Sequence, residues 1–112
     1  MKNVTIIIGA PIIKQNLKDD ISTRLALITG GLTLYDAVGY WCDDGNETKE
    51  HYTVKAEREP ALRLTFTIED DKFTEQLQNI KDAVTMAVHV TDTQAEWVHM
   101  QVEDVKVMHF QV

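Results

Sequence analysis

One cysteine, Cys42, stands in 112 residues, so an internal disulfide cannot form and a cysteine-rich metal site cannot be built. Prolines number two and glycines five, far too few for a low-complexity or linker-like chain. Bases are scarce as well: eleven Lys and Arg against eighteen Asp and Glu leave a net charge of −7. A field of that sign repels phosphate backbones and favours neutral or cationic partners, so nucleic acid is not an expected ligand. No apolar run approaches the roughly 20 residues that cross a bilayer. The opening MKNVTIIIGAPIIK is too short and too strand-like for a signal peptide. The expectation is a cytoplasmic protein without membrane attachment. Glycine-rich phosphate loops, nucleophile elbows and kinase signatures are missing, and GAP at residues 9–11 is too brief a glycine signal for a nucleotide. His51, His89, His99 and His109 are scattered without a metal-ligand spacing on a helix, so neither a metal nor a cofactor is expected.

What is present describes an ordinary globular chain. Apolar residues make up 44% and charged residues 26%, far from the composition that keeps chains disordered. At this length a second core would leave each half too small to offset its chain entropy, so residues 1–112 are expected to form a single domain.

Residues Val4 to Gly9, VTIIIG, are a short β-branched run bounded by Gly9 and Pro11, which reads as a buried strand. Leu17, Ile21, Leu25 and Ile28 then recur at helical spacing, and Gly30 with Gly31 sits where a C-terminal cap belongs. In LTLYDAVGYW, Leu32, Leu34, Asp36, Val38 and Tyr40 alternate with Thr33, Tyr35, Ala37, Gly39 and Trp41, and the first set reads as the core face. Asp36 interrupts that face, and a bulge at Gly39 would shift the register. CDDGNETK is a polar turn. Beyond it EHYTVKAE, with Tyr52, Val54 and Ala56 on one side, extends the hairpin until REP breaks it at Pro60. Leu62, Leu64, Phe66 and Ile68 mark the clearest half-buried strand. A second helix starts at Asp70 or Asp71 and buries Phe73, Leu77, Ile80 and Val84. The end holds one or two strands around Glu103 and Asp104, with Val105, Val107 and His109 opposed to Lys106, Met108 and Phe110.

The order β, α, β, β, α, β predicts an α+β fold: a ferredoxin-like antiparallel sheet with both helices on one face and an extended central hairpin. The second sheet face stays open unless another subunit covers it, so self-association is expected. Candidate chemistry lies in the acids. Glu50, Glu57 and Glu59 precede the third strand and Glu96 opens the last, where neighbouring strand ends converge. Gln94 and Glu96, with Tyr40 and Trp41, supply an amide, a carboxylate and an aromatic wall, which suits a planar, partly cationic small molecule.

GGLTLYDAVGYW, EREPALRLTFTIED and QAEWVHMQVEDVKVMHF together resemble, in order, a family of small uncharacterised bacterial proteins with a PII-like, ferredoxin-type fold. The chain also resembles the phage-encoded S-adenosylmethionine lyases through its Gly-Leu strand start, Tyr40, a glutamate at the next strand and a Gln/Glu pair before the last. That second resemblance implies a homotrimer with sites between subunits, acting in the host cytoplasm if phage-encoded. Its substrate would be S-adenosylmethionine, cleaved to 5'-methylthioadenosine and homoserine lactone without a cofactor. Catalytic roles then fall to Tyr40, Glu59 and Glu96, and substrate binding to Gln94, Trp41 and Glu50. In the family the Gln/Glu pair is adjacent, whereas Ala95 separates it here, and the strand-edge glutamate is Glu59 by the REP match or Glu50 by spacing from Tyr40. Two other readings stand beside it: a non-catalytic PII-like module for a nucleotide or other small ligand, and a phage or bacterial protein that docks on a host enzyme.

Overall fold

The computed structural model describes residues 1–52 and 55–112. Its elements are strand β1 (Lys2–Gly9), helix α1 (Gln15–Thr29), strand β2 (Thr33–Trp41), strand β3 (Glu57–Ile68), helix α2 (Asp70–Val90) and strand β4 (Val98–Asp104). The strands pair antiparallel in the order β2-β3-β1-β4. Each helix thus connects two strands that flank a third, the split βαβ arrangement of the ferredoxin-like fold.

Alternation sorts the sheet into two faces. Val4, Ile6 and Ile8 of β1 and Leu62, Leu64, Phe66 and Ile68 of β3 are buried in one cluster with Leu17, Ile21 and Leu25 of α1 and Ile80, Val84, Ala87 and Val88 of α2. Removing one such Leu or Ile from water is worth roughly 1.5–3 kcal/mol, so this cluster is the dominant support of the fold. Helix α1 stops where Gly30 turns left-handed at φ 85°, its N–H donating to the Ala26 carbonyl at 2.8 Å. Asp70 and Asp71 lie in the first turn of α2, where their charge complements the helix dipole, and Asp70 also meets the Met1 amine at 3.1 Å.

Several expectations need correction. Strand β2 pairs with β3 without interruption from Thr33↔Thr65 to Trp41↔Glu57, so Gly39 makes no bulge. Asp36 stays on the helix face and meets Lys18 of α1 at 2.7 Å, which explains a carboxylate in that position. Leu34 packs on the core, but Val38 is 50% and Tyr40 65% exposed, so the apolar face of this strand outruns the helices. Pro60 does not break the hairpin. Strand β3 runs through it, and its carbonyl accepts from Ala10 N–H just past the end of β1, where the missing proline N–H costs the ladder least. Residues 51, 52, 55 and 56 are not strand, and Thr53 and Val54, the centre of the expected extension, lie outside the described residues. A connection replaces it, organised by the Tyr52 hydroxyl donating to the Glu47 carbonyl at 2.7 Å and by Lys49 meeting Asp44 at 3.0 Å. Hydrogen bonds to Asp44 first and then Glu47 hold the Lys49 ammonium above its ordinary range. Among the described residues the chain ends in one strand, β4, which stops at Asp104. Val105 and Val107 are half-buried after it, while His109 is exposed like Met108 and Phe110.

Candidate functional site

At one end of the sheet β1 finishes at Gly9, β2 at Trp41, while β3 begins at Glu57 and β4 at Val98. These termini surround a cavity of about 880 Å³. Its wall includes Ile7, Gly9, Trp41, Asp43, Glu57, Arg58, Glu59, Gln94, Glu96, Trp97 and His99.

The register delivers these side chains. Leu34 lies opposite Leu64 on the helix face, so two-residue periodicity turns Tyr35, Ala37, Gly39 and Trp41 to the open face together with their partners Arg63, Ala61, Glu59 and Glu57. The Arg63 guanidinium rests 5.4 Å from the centre of the Tyr35 ring on that face. The Glu59 carboxylate lies directly over Gly9, and the Trp41 indole lies over Gly39 and reaches towards Gly9. Glu59 is half-buried, and no hydrogen bond or ion pair joins it to another described residue.

The connection from α2 to β4 brings the other half of the wall. Thr91 and Thr93 are buried, their hydroxyls 2.7 Å apart, and Thr91 Oγ1 donates to the Ala87 carbonyl at 2.7 Å. Asp92 between them adopts φ 52°, which an aspartate tolerates better than most residues, and Thr93 N–H donates back to the Val88 carbonyl. This knot fixes the exit direction. Ala95 then packs against the core, so Gln94 and Glu96 on either side of it both face outward and line the cavity. Ala95 N–H donates to the Thr93 carbonyl at 3.0 Å and the chain bends at Glu96, so the interposed alanine turns to the core while the residues on either side of it reach one space.

Of the six residues singled out in the sequence, the cavity collects Trp41, Glu59, Gln94 and Glu96. Tyr40 lies opposite Arg58 on the other face of the hairpin, and Glu50 is exposed in the connection that follows β2; neither lines the cavity. Sequence reasoning passed over Trp97 and His99 as site residues. Their signal was the period-two pattern Trp97, His99, Gln101, whose partners Ile7 and Thr5 belong to the open face. Four acidic residues, Asp43, Glu57, Glu59 and Glu96, line the cavity against one arginine, Arg58, whose register position belongs to the other face, so the cavity suits a cation. The two tryptophans add flat surfaces for a planar group or for cation–π contact. Among the described residues, no three His, Cys, Asp or Glu side chains converge as a bound metal would require.

No family model matches the chain, and no curated protein does. Solved structures do. The CutA protein of Archaeoglobus fulgidus, described as a periplasmic divalent cation tolerance protein, superposes with a TM-score of 0.60 at 14% identity, covering 97% of this chain and 88% of its own. A DUF3240 family protein of Shewanella baltica gives 0.52 at 10% identity over 99% and 97% of the two chains. A phage S-adenosylmethionine lyase in its apo state gives 0.52 at 13% identity over 98% and 92%. This chain has their fold. At such identities the likeness extends to the backbone arrangement, a ferredoxin-like α+β sheet, and to nothing finer. No helix among the described residues is long and apolar enough to cross a membrane.

Proposed function

We propose that this protein is an S-adenosylmethionine lyase that works as a homotrimer in the cytoplasm, needing neither metal nor cofactor. The observation that carries the reading is the convergence of Glu59, half-buried and without a hydrogen-bond or ion-pair partner among the described residues, with Trp41, Gln94 and Glu96 in one acid-rich cavity. The fold shared with a phage S-adenosylmethionine lyase agrees with it.

The chemistry asks little of a catalyst in acid or base. The carboxylate of the substrate attacks its own γ-carbon, a C–O bond forms as the C–S bond breaks, and the sulfur takes the bonding pair to leave as neutral 5'-methylthioadenosine. Homoserine lactone remains, and no proton is transferred. A protein accelerates this step by holding the methionyl chain folded with the attacking oxygen in line behind the carbon. Because a carboxylate and a sulfonium annihilate each other's charge, the transition state is less polar than the bound substrate, and a drier site favours it. Acidic side chains at the sulfonium therefore serve binding, while those that grip the α-ammonium fold the chain for attack. Glu59 with Trp41 suits the first task, and Glu96 with Gln94, on the opposite wall, the second. In this reading Tyr40, exposed on the far side of the hairpin, serves the site of a neighbouring subunit.

The test is chromatography of purified protein incubated with S-adenosylmethionine. Stoichiometric 5'-methylthioadenosine and homoserine lactone are expected. Calorimetric binding without either product would leave a binding module and end the lyase reading.

A further inference from the structure

Gly9 is the last residue of β1 and Gly39 stands inside β2, both in the ladder, where glycine is a weak choice: it packs nothing and loses more chain entropy than any other residue. Neither has the positive φ that would demand glycine; only Gly30 does among the described glycines. The reason is space. A Cβ on Gly39 would come within 2.6 Å of the Trp41 Cε2 and 2.8 Å of its Cζ2. One on Gly9 would run into the Glu59 carboxylate and stand 3.1 Å from Trp41 Nε1. Gly39 lies directly across from Glu59, and Gly9 across from Ala61, on neighbouring strands. Three strands thus present a floor almost bare of side chains, and on it the indole and the carboxylate lie side by side.

We infer that Gly9 and Gly39 are specificity-determining positions, which hold Trp41 and Glu59 flat as a single subsite for the cationic centre of the ligand. The inference rests on the S-adenosylmethionine reading of this cavity and adds what selects the substrate there. An indole face and a carboxylate each attract a sulfonium and neither has much attraction for a thioether. A subsite made of both separates S-adenosylmethionine from its neutral-sulfur counterparts, S-adenosylhomocysteine and 5'-methylthioadenosine. The same property releases product, since cleavage removes the charge that the subsite holds.

A methyl group at either glycine meets only the movable ends of side chains, so the backbone survives and the indole or the carboxylate is displaced. Calorimetry with S-adenosylmethionine and S-adenosylhomocysteine, alongside thermal melts, tests this on Gly9→Ala and Gly39→Ala. Gly31→Ala, where an added Cβ meets nothing within 4 Å, is the control. Expected is a wild-type preference for S-adenosylmethionine that falls about fivefold or more in both site variants, with affinity for S-adenosylhomocysteine and the melting temperature maintained. Preference retained in both variants overturns the inference while leaving the substrate reading in place. Equal loss for both ligands with a lowered melting temperature also overturns it, by assigning the glycines to packing. Wild-type protein that binds neither ligand overturns the substrate reading and this role together.

Discussion

Among the described residues Glu59 has no hydrogen bond or ion pair to hold it and is still half removed from water, a position that a carboxylate serving only the fold has little reason to take. Asp36 makes the contrast, because its carboxylate also breaks an apolar pattern but meets Lys18, and its position is explained locally. The lyase reading gives Glu59 a cationic partner that arrives with substrate. Since that partner loses its charge during reaction, the interaction is as strong in the bound substrate as it will ever be, and its loss should fall on binding. Glu59→Gln is therefore expected to raise KM about fivefold, the equivalent of roughly 1 kcal/mol for a partly exposed ionic contact, with kcat held or slightly increased. Steady-state kinetics decides it: a fall in kcat at unchanged KM would remove Glu59 from the sulfonium and make it a group that acts in the transition state.

The element that carries Gln94 and Glu96 has less support than the strands, and two threonines supply it. Thr91→Val removes the hydroxyl that donates to Ala87 and leaves the buried Thr93 hydroxyl without its neighbour. An unsatisfied buried group of this kind costs about 1–3 kcal/mol, and the α2–β4 connection should loosen with it. Denaturant melts should register that loss, and the KM for substrate should rise in the same variant; stability lost with KM unchanged would separate this connection from the site. The elements themselves were legible because long periodic segments were present: the Leu62 to Ile68 alternation is buried throughout, the α1 stripe is buried at Leu17, Ile21 and Leu25 with Ile28 partly so, and the α2 face is buried at Ile80 and Val84 but only partly at Phe73 and Leu77. Boundaries were less legible. Pro60 suggested an end because proline breaks a ladder, and nothing local says that β1 stops one residue earlier and frees the position. The polar CDDGNETK turn was expected to lead straight into a returning strand, whereas the connection is held by contacts of Tyr52 with Glu47 and of Lys49 with Asp44, local pairs that follow no strand or helix period. In the candidate site, four residues were legible because alternation puts Trp41 and Glu59 on one face and strand ends gather Gln94 and Glu96. Gly9 and Gly39 were not, because a missing side chain has meaning only once the residues above it are in place.

The whole chain is looser than its length requires. Its radius of gyration is 15.1 Å, against about 13 Å for a compact domain of this size. The excess agrees with apolar residues left in water along and beyond the sheet: Tyr35, Val38, Tyr40 and Trp41 on β2, and Met108 and Phe110 at 90% and 84% exposure in the tail. A second copy covering such surface would take it out of water and account for an extended chain, and the homotrimer of the lyase reading supplies one. It also gives Tyr40 a purpose, since two-residue periodicity forbids Tyr40 and Glu59 from pointing to one face within a chain, whereas a site shared between chains permits both to contribute. Tyr40→Phe and Glu96→Gln should each lower activity alone if Tyr40 reaches the neighbour's cavity. Unfolding the two variants together and refolding the mixture should then restore part of the activity, because some sites receive an intact tyrosine from one chain and an intact glutamate from the next. Light scattering should return three chains per particle for wild type and for the mixture. A monomeric particle, or a mixture no more active than its parents, would confine each site to one chain and leave Tyr40 as an exposed strand residue with no share in the chemistry.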